Sequence, residues 1–199
     1  MMSDKKDINT EQLIKDTAKR LFFGEGKFNV TTQEIADEAG VNRTLINYYF
    51  RSRDNLFKMI SEDAQEEEVS FTDTILSLDI PYKEKVSRYL DMFFEQAKQY
   101  PYLEIYMVTQ MNQSSCYAKD PEKVRRVLDK FYLEIALEME KGNINKMRPE
   151  QFFLNLIALT SFPVCMRPLL QESMGFNNKE YDSLIEERKE IILNTLFNN

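Results

Sequence analysis

The chain reads as all-α, on about nine helices, and three observations predict this. Apolar residues recur at i, i+3, i+4 and i+7 over most of its length. All five glycines (24, 26, 40, 142 and 175) fall at the ends of such runs. No segment alternates apolar and polar residues with a period of two. Pro81, Pro101, Pro121 and Pro149 stand near expected helix starts, where a missing N–H costs little. At 199 residues the chain makes one large or two small domains, with enough apolar residues for a real core.

Asn9 and Gln12 form a capping pair for a first helix, on which Leu13, Ile14, Thr17, Ala18, Leu21 and Phe22 recur at helical spacing until Gly24 and Gly26 stop it. Thr31 and Glu34 have the spacing of a capping box for a second helix. Its inward face is Ile35, Ala36 and Ala39. Gly40 follows the last apolar position, where a left-handed helix exit favours glycine. Asn42 caps a third helix, with Leu45, Ile46, Tyr49 and Phe50 inward. Arg43, Thr44, Asn47 and Tyr48 are left outward. That outward set can hydrogen-bond base edges and hold phosphates, which a recognition helix in a major groove requires. Plain packing units share the same turn spacing.

The fourth helix is expected from Ser52 to about Ser70, linking an N-terminal domain of residues 1–51 to a C-terminal domain of residues 52–199. Further helices are expected at roughly 81–99, 101–113, 121–141, 149–172 and 178–197, with Pro163 and Pro168 breaking or kinking the fourth of these. The last helix has the clearest stripe, through Tyr181, Leu184, Ile185, Arg188 and Ile192. Phe153 and Ile157 offer a companion face in the helix before it. These seven can pack on their own core or form a four-helix interface with a second copy, and the dimer is the expectation. The middle of the chain is rich in aromatic and methionine residues. Tyr89, Phe93, Tyr106, Met107, Gln110, Phe131 and Asn155 are the candidates for an apolar pocket with polar handles; ordinary core is the competing reading.

Composition narrows the functional classes. There is no histidine, so His general bases, His-dependent triads and His metal ligands are excluded. Cys116 and Cys165 are isolated and read as small buried hydrophobes. No Gly-rich phosphate loop or metal-ligand cluster is visible, so the expectation is a non-enzyme with no cofactor and no metal. The net charge of −7 at first argues against nucleic acid. It is unevenly spread: residues 1–60 hold 10 Lys+Arg against 9 Asp+Glu, and residues 61–199 hold 16 against 24. The N-terminal segment is thus a modest basic patch, expected to bind DNA in a salt-sensitive way. A polar N-terminus and the absence of a bilayer-spanning run lead us to expect a cytoplasmic protein with no membrane partner.

Residues 10–58 resemble the DNA-binding domain of TetR/AcrR-type bacterial transcription regulators. The resemblance rests on Thr31, Thr32, Ile35, Ala36, Ala39, Gly40, Val41, Tyr49, Phe50, Ser52, Asp54 and Leu56, together with Thr17–Phe22 and the loop from Gly24 to Phe28. Asn42 stands where the family usually has serine, Thr44 where glycine is common, Asn47 where tyrosine is frequent, and Arg53 where lysine is common. The resemblance implies an N-terminal helix-turn-helix domain and a C-terminal domain for effector binding and dimerisation. It further implies a homodimer on a palindromic operator, usually a repressor, released when an apolar or amphipathic small molecule shifts the fourth helix. On this register Arg43, Thr44, Asn47 and Tyr48 are expected to reach bases, and Thr32, Tyr48, Tyr49 and Arg53 to hold phosphates. The alternative on the same fold is a DNA- or protein-binding factor without an effector, such as a division or nucleoid factor.

Overall fold

The computed structural model describes residues 2–113 and 119–198, with side chains from 9 to 109 and from 119 onward. Among them are ten α-helices and no strand. They are α1 (Met2–Lys19), α2 (Thr32–Ala39), α3 (Arg43–Phe50), α4 (Arg53–Leu76), α5 (Tyr82–Gln99), α6 (Leu103–Gln113), α7 (Pro121–Glu140), α8 (Pro149–Cys165), α9 (Arg167–Met174) and α10 (Asn178–Leu196). The chain packs as two units, Met1–Glu67 with Ala97–Lys119, and Glu68–Gln96 with Asp120–Asn199. This division differs from the expected one at 51/52. Leu56, Phe57, Ile60 and Ala64 of α4 and Leu103 of α6 complete the core under α1–α3, so those segments pack with the head.

In the first unit, α1 starts before the expected Asn9 cap and ends in a π-helical turn, Arg20–Gly24. The looser turn coincides with three consecutive buried side chains, Leu21, Phe22 and Phe23. Leu13, expected on the apolar face, is exposed instead. Phe22 meets Phe57 edge-on at 4.5 Å, and Phe57 lies 3.9 Å from Tyr106. Gly26 has φ +67°, and a Cβ there would sit 3.0 Å from the Tyr102 ring, so both backbone and space call for glycine.

In the second unit the core runs through Leu76, Val86, Leu90, Phe131, Ile135, Phe152, Leu156 and Ile192. Lys85 is buried, yet its Nζ donates to the Leu76 carbonyl at the end of α4 (2.8 Å) and to Glu134 (2.9 Å). A cation is well placed there, because helix C-termini carry partial negative charge. The expected helix over 149–172 is two helices bent by 71°. The break comes at Met166, with Pro168 in the first turn of α9, while Pro163 stays inside α8. Proline at 163 has no N–H for the carbonyl one turn earlier, Leu159. The Arg188 guanidinium of α10 donates to that carbonyl instead, at 2.9 Å. Tyr181 donates to the Pro163 carbonyl at 2.8 Å. These two bonds dock α10 on the irregular part of α8. Among the described residues, no single helix is long and apolar enough to cross a membrane.

Candidate nucleic-acid interface

The interface is built from two short helices whose ends are fixed locally. Thr31 has extended backbone angles, and its Oγ1 accepts from the Glu34 N–H (3.2 Å). The Glu34 carboxylate accepts from the Thr31 N–H at 2.7 Å and from its hydroxyl at 2.8 Å. The Thr31 backbone bond, with the hydroxyl behind it, holds the Glu34 carboxyl below its usual range. Ile35 and Ala36 are buried. Gly40 takes φ +65°, and the Val41 N–H returns to the Ala36 carbonyl at 2.9 Å, closing the helix with a left-handed residue. The Asn42 Oδ1 then accepts from both the N–H (2.9 Å) and the hydroxyl (2.7 Å) of Thr44. The departure from glycine at 44 therefore reinforces the cap, and the hydroxyl hydrogen is already used.

On α3, Ile46 and Phe50 are buried, Leu45 and Tyr49 are half-buried, and Arg43, Thr44, Asn47 and Tyr48 are exposed. Tyr48 is 72% exposed, a large apolar ring left in water. It stands edge-on to Tyr49 at 5.0 Å. Arg43 donates from Nε to the Thr32 Oγ1 at 3.1 Å, so an arginine of α3 and a threonine of α2 meet on one surface. That bond leaves the two terminal nitrogens of the guanidinium available as a fork. Arg20 reaches Glu38 at 2.6 Å and ties the end of α1 to α2.

Arg53 lies differently from a simple phosphate holder. Its Nε donates to the Val30 carbonyl at 2.7 Å, its Nη1 reaches Asp54 at 2.9 Å, and its guanidinium lies 5.3 Å from the centre of the Phe22 ring. It fastens the start of α4 to the residue before the Thr31 cap. Two neighbours escaped the sequence reading. Arg51 is exposed at φ +68°, ψ −45°, and the Ser52 N–H bonds back to the Phe50 carbonyl at 2.7 Å, which makes a γ-turn. Asn55 donates to the same Phe50 carbonyl at 2.9 Å. Nothing in residue type announces a strained arginine. Asn55, five residues past Phe50, is a recognisable candidate for capping the end of α3.

The expected effector residues divide between the units. Tyr106 and Met107 pack on the core of the first unit. In the second, Phe93 and Phe131 are buried, and Tyr89 donates to Glu68 at 3.2 Å. Burial raises the Glu68 carboxyl above its usual range against the opposing effect of that bond. Asn155 is exposed on α8, 4.0 Å from the Met147 sulfur. The Gln110 side chain and Cys116 lie outside the described residues. Cys165 is half-buried at the end of α8.

Of the expected dimer residues, Phe153, Ile157, Leu184 and Ile185 are half-buried. Tyr181 and Ile192 are withdrawn into the second unit, at 1% and 0% exposure, so they offer no surface to a partner. Arg188 is turned to Leu159 of its own chain. The exposed face of α8 is instead Leu154, Ala158 and Phe162, spaced by four residues, a stripe that the sequence shows beside the expected Phe153 and Ile157. Among the described residues no group of three His, Cys, Asp or Glu is placed to hold a metal.

Residues 14–60 match the family of bacterial regulatory proteins, tetR family. No curated protein sequence matches the chain significantly. Solved structures match over nearly the whole chain. A TetR family transcription regulator from Marinobacter aquaeolei has a TM-score of 0.63 at 15% identity, covering 100% of both chains. A TetR/AcrR family regulator from Thermobifida fusca gives 0.62 at 16%, covering 94% of this chain and 97% of its own. The fatty acid degradation regulator FadR from Bacillus halodurans gives 0.56 at 18%, covering 93% and 98%. Residues 14–60 thus form a tetR-family DNA-binding domain, and the chain as a whole has the fold of solved TetR-family regulators.

Proposed function

We propose that the protein is a cytoplasmic homodimeric repressor that grips an inverted-repeat operator with two copies of α3 and lets go when a small amphipathic molecule binds. The observation that carries this reading is the exposed polar ridge of α3, capped at its start by Asn42 and joined to α2 by the Arg43–Thr32 bond. Arg43 presents its fork to guanine O6 and N7, and Asn47 pairs with adenine N6 and N7. Thr44 supplies its methyl group, and Tyr48 an aromatic face, to neighbouring bases. Thr32, Tyr48 and Tyr49 hold phosphates. Arg53 holds the turn into α2 in place, and any phosphate contact it makes uses what its internal bonds leave free.

The second copy covers α8 and α10. Leu154 and Phe162 are 57% and 55% exposed, and apolar surface of that kind calls for cover. Phe153, Ile157, Leu184 and Ile185, all half-buried, add to the same proposed interface. A ligand that prefers the wide head spacing, which the operator disfavours, lowers operator affinity by the same factor by which operator lowers ligand affinity. The test is selection of bound sequences from random duplex DNA. The reading requires an enriched inverted repeat with half-sites about 34–36 Å apart, one helical turn or a multiple of it. Recovery of single half-sites, or of no common sequence, overturns it.

A further inference from the structure

The first unit contains a cavity of about 550 Å³, within the size range of small-molecule sites. It lies between the loop leading to α2, the opening turns of α4, and α6. We infer that this cavity binds a small aromatic monocarboxylate. Its effect on DNA rests on the regulator reading above; the binding itself does not.

The walls decide the class. Phe57 and Tyr106 are in contact at 3.9 Å, and Phe28 stacks on Tyr106 at 5.5 Å with 29° between the rings. Met107 adds an adaptable thioether to the same lining. A flat apolar body fits such a surface better than a branched polar one. The lining carries two cations and one carboxylate, Arg53, Lys58 and Asp54. Arg53 and Asp54 neutralise each other at 2.9 Å. The Lys58 ammonium is paired more loosely, with Glu62 at 3.7 Å, beyond hydrogen-bond distance and on a side chain 55% exposed, so it is the cation an incoming anion can engage most easily. A ligand carboxylate can take that ammonium in a charge-assisted bond, while a ligand cation meets it as a like charge.

The position explains why occupancy matters. Phe28 and Asn29 immediately precede Val30, whose carbonyl is held by Arg53 of α4, and Thr31, which caps α2. An occupant touches the loop that aims α2 and the helix that anchors it. It therefore stabilises one orientation of the α2–α3 pair on α4 over others.

The experiment compares three probes of one shape on the full chain by calorimetry: 2-naphthoate, neutral 2-naphthylmethanol and cationic 2-naphthylmethylamine. The expected order of affinity is naphthoate, then alcohol, then amine. Lys58→Met lowers naphthoate affinity about tenfold, to the level of the alcohol, and leaves the alcohol unchanged. Thr109→Trp and Asn29→Trp, at exposed positions on the cavity wall, weaken all three probes more than tenfold while melting like wild type. Tighter binding of the amine, no binding at millimolar concentration, or wild-type binding by both tryptophan variants overturns the proposal. Naphthoate binding that leaves operator affinity unchanged supports the site and counts against the regulatory reading instead.

Discussion

Helices α3 and α8 each leave one face uncovered, and the two faces differ in kind. The α3 face is Arg43, Thr44, Asn47 and Tyr48; the α8 face is Leu154, Ala158 and Phe162. Polar side chains in water are stable as they stand, so their exposure alone asks for no partner. Apolar side chains in water lose about 25 cal/mol for each Å² left uncovered. The α8 face thus points to a partner by its energy. The α3 face points to one only through its pattern: a cap, a turn, and donors spaced to meet a groove. The same contrast runs through the arginines. Arg43 keeps a fork for outside use, whereas Arg53 and Arg188 each donate to a backbone carbonyl of their own chain.

Four variants and one control separate these faces. Placing glutamate at both Leu154 and Phe162 should convert the proposed dimer to monomer in light scattering at micromolar concentration. Operator affinity should fall about 100-fold or more, because linking two sites raises avidity by that order. A double variant that stays dimeric would remove α8 from the interface. Asn47→Ala should cost on the order of 1–3 kcal/mol on the preferred operator and relax selectivity at one base pair. Unchanged ranking of all single-base operator variants would remove Asn47 from base reading. Arg188→Met should cost about 2 kcal/mol in urea unfolding, the usual penalty for a buried carbonyl without a donor. Its dimer constant should hold, since Arg188 faces inward. Thr31→Ala should lose about 1 kcal/mol of stability by removing the cap. It should weaken all operators alike, as a fold effect and not a reading effect.

Arg51→Gly serves as the control with the smallest effect and the opposite sign. Glycine accepts φ +68° without strain, so the variant should gain stability, by up to about 1 kcal/mol. If its melting point falls instead, the arginine side chain contributes more to the fold than its backbone angle costs.

How much of this was legible depended on the range of the forces involved. The α2–α3 pair could be read closely because its determinants are local. Thr31 meets Glu34, Gly40 ends α2, and Asn42 meets Thr44, all within four residues. Both Pro163 and Pro168 were expected to break or kink the helix over 149–172, yet Pro163 stays inside α8 and the break comes at Met166. Arg188, a distant residue, supplies the Leu159 carbonyl with the donor that Pro163 lacks, and a partner that far along the chain is not visible locally. Arg53 was placed by its bond to Val30, again a distant partner. The aromatic middle was least legible. Tyr106 and Phe131 look alike in sequence, yet one lines a cavity in the first unit and the other is core in the second. Composition marks both as apolar, and only packing assigns them. The outward face of α8 was overlooked for a simpler reason: alternate stripes on a helix this apolar are all plausible cores.

The bond between Arg188 and the Leu159 carbonyl has a consequence for how this sequence can drift. Pro163 creates the vacancy that Arg188 fills, so neither residue has a fixed worth by itself. An alanine at 163 restores a backbone donor for Leu159 and makes the arginine dispensable. Losing the arginine first strands the carbonyl. The two substitutions are therefore not interchangeable in time: the helix position opens the route, and the arginine position follows. A double-mutant cycle over Pro163→Ala and Arg188→Met should show this as a coupling, with the pair costing less than the two single changes together.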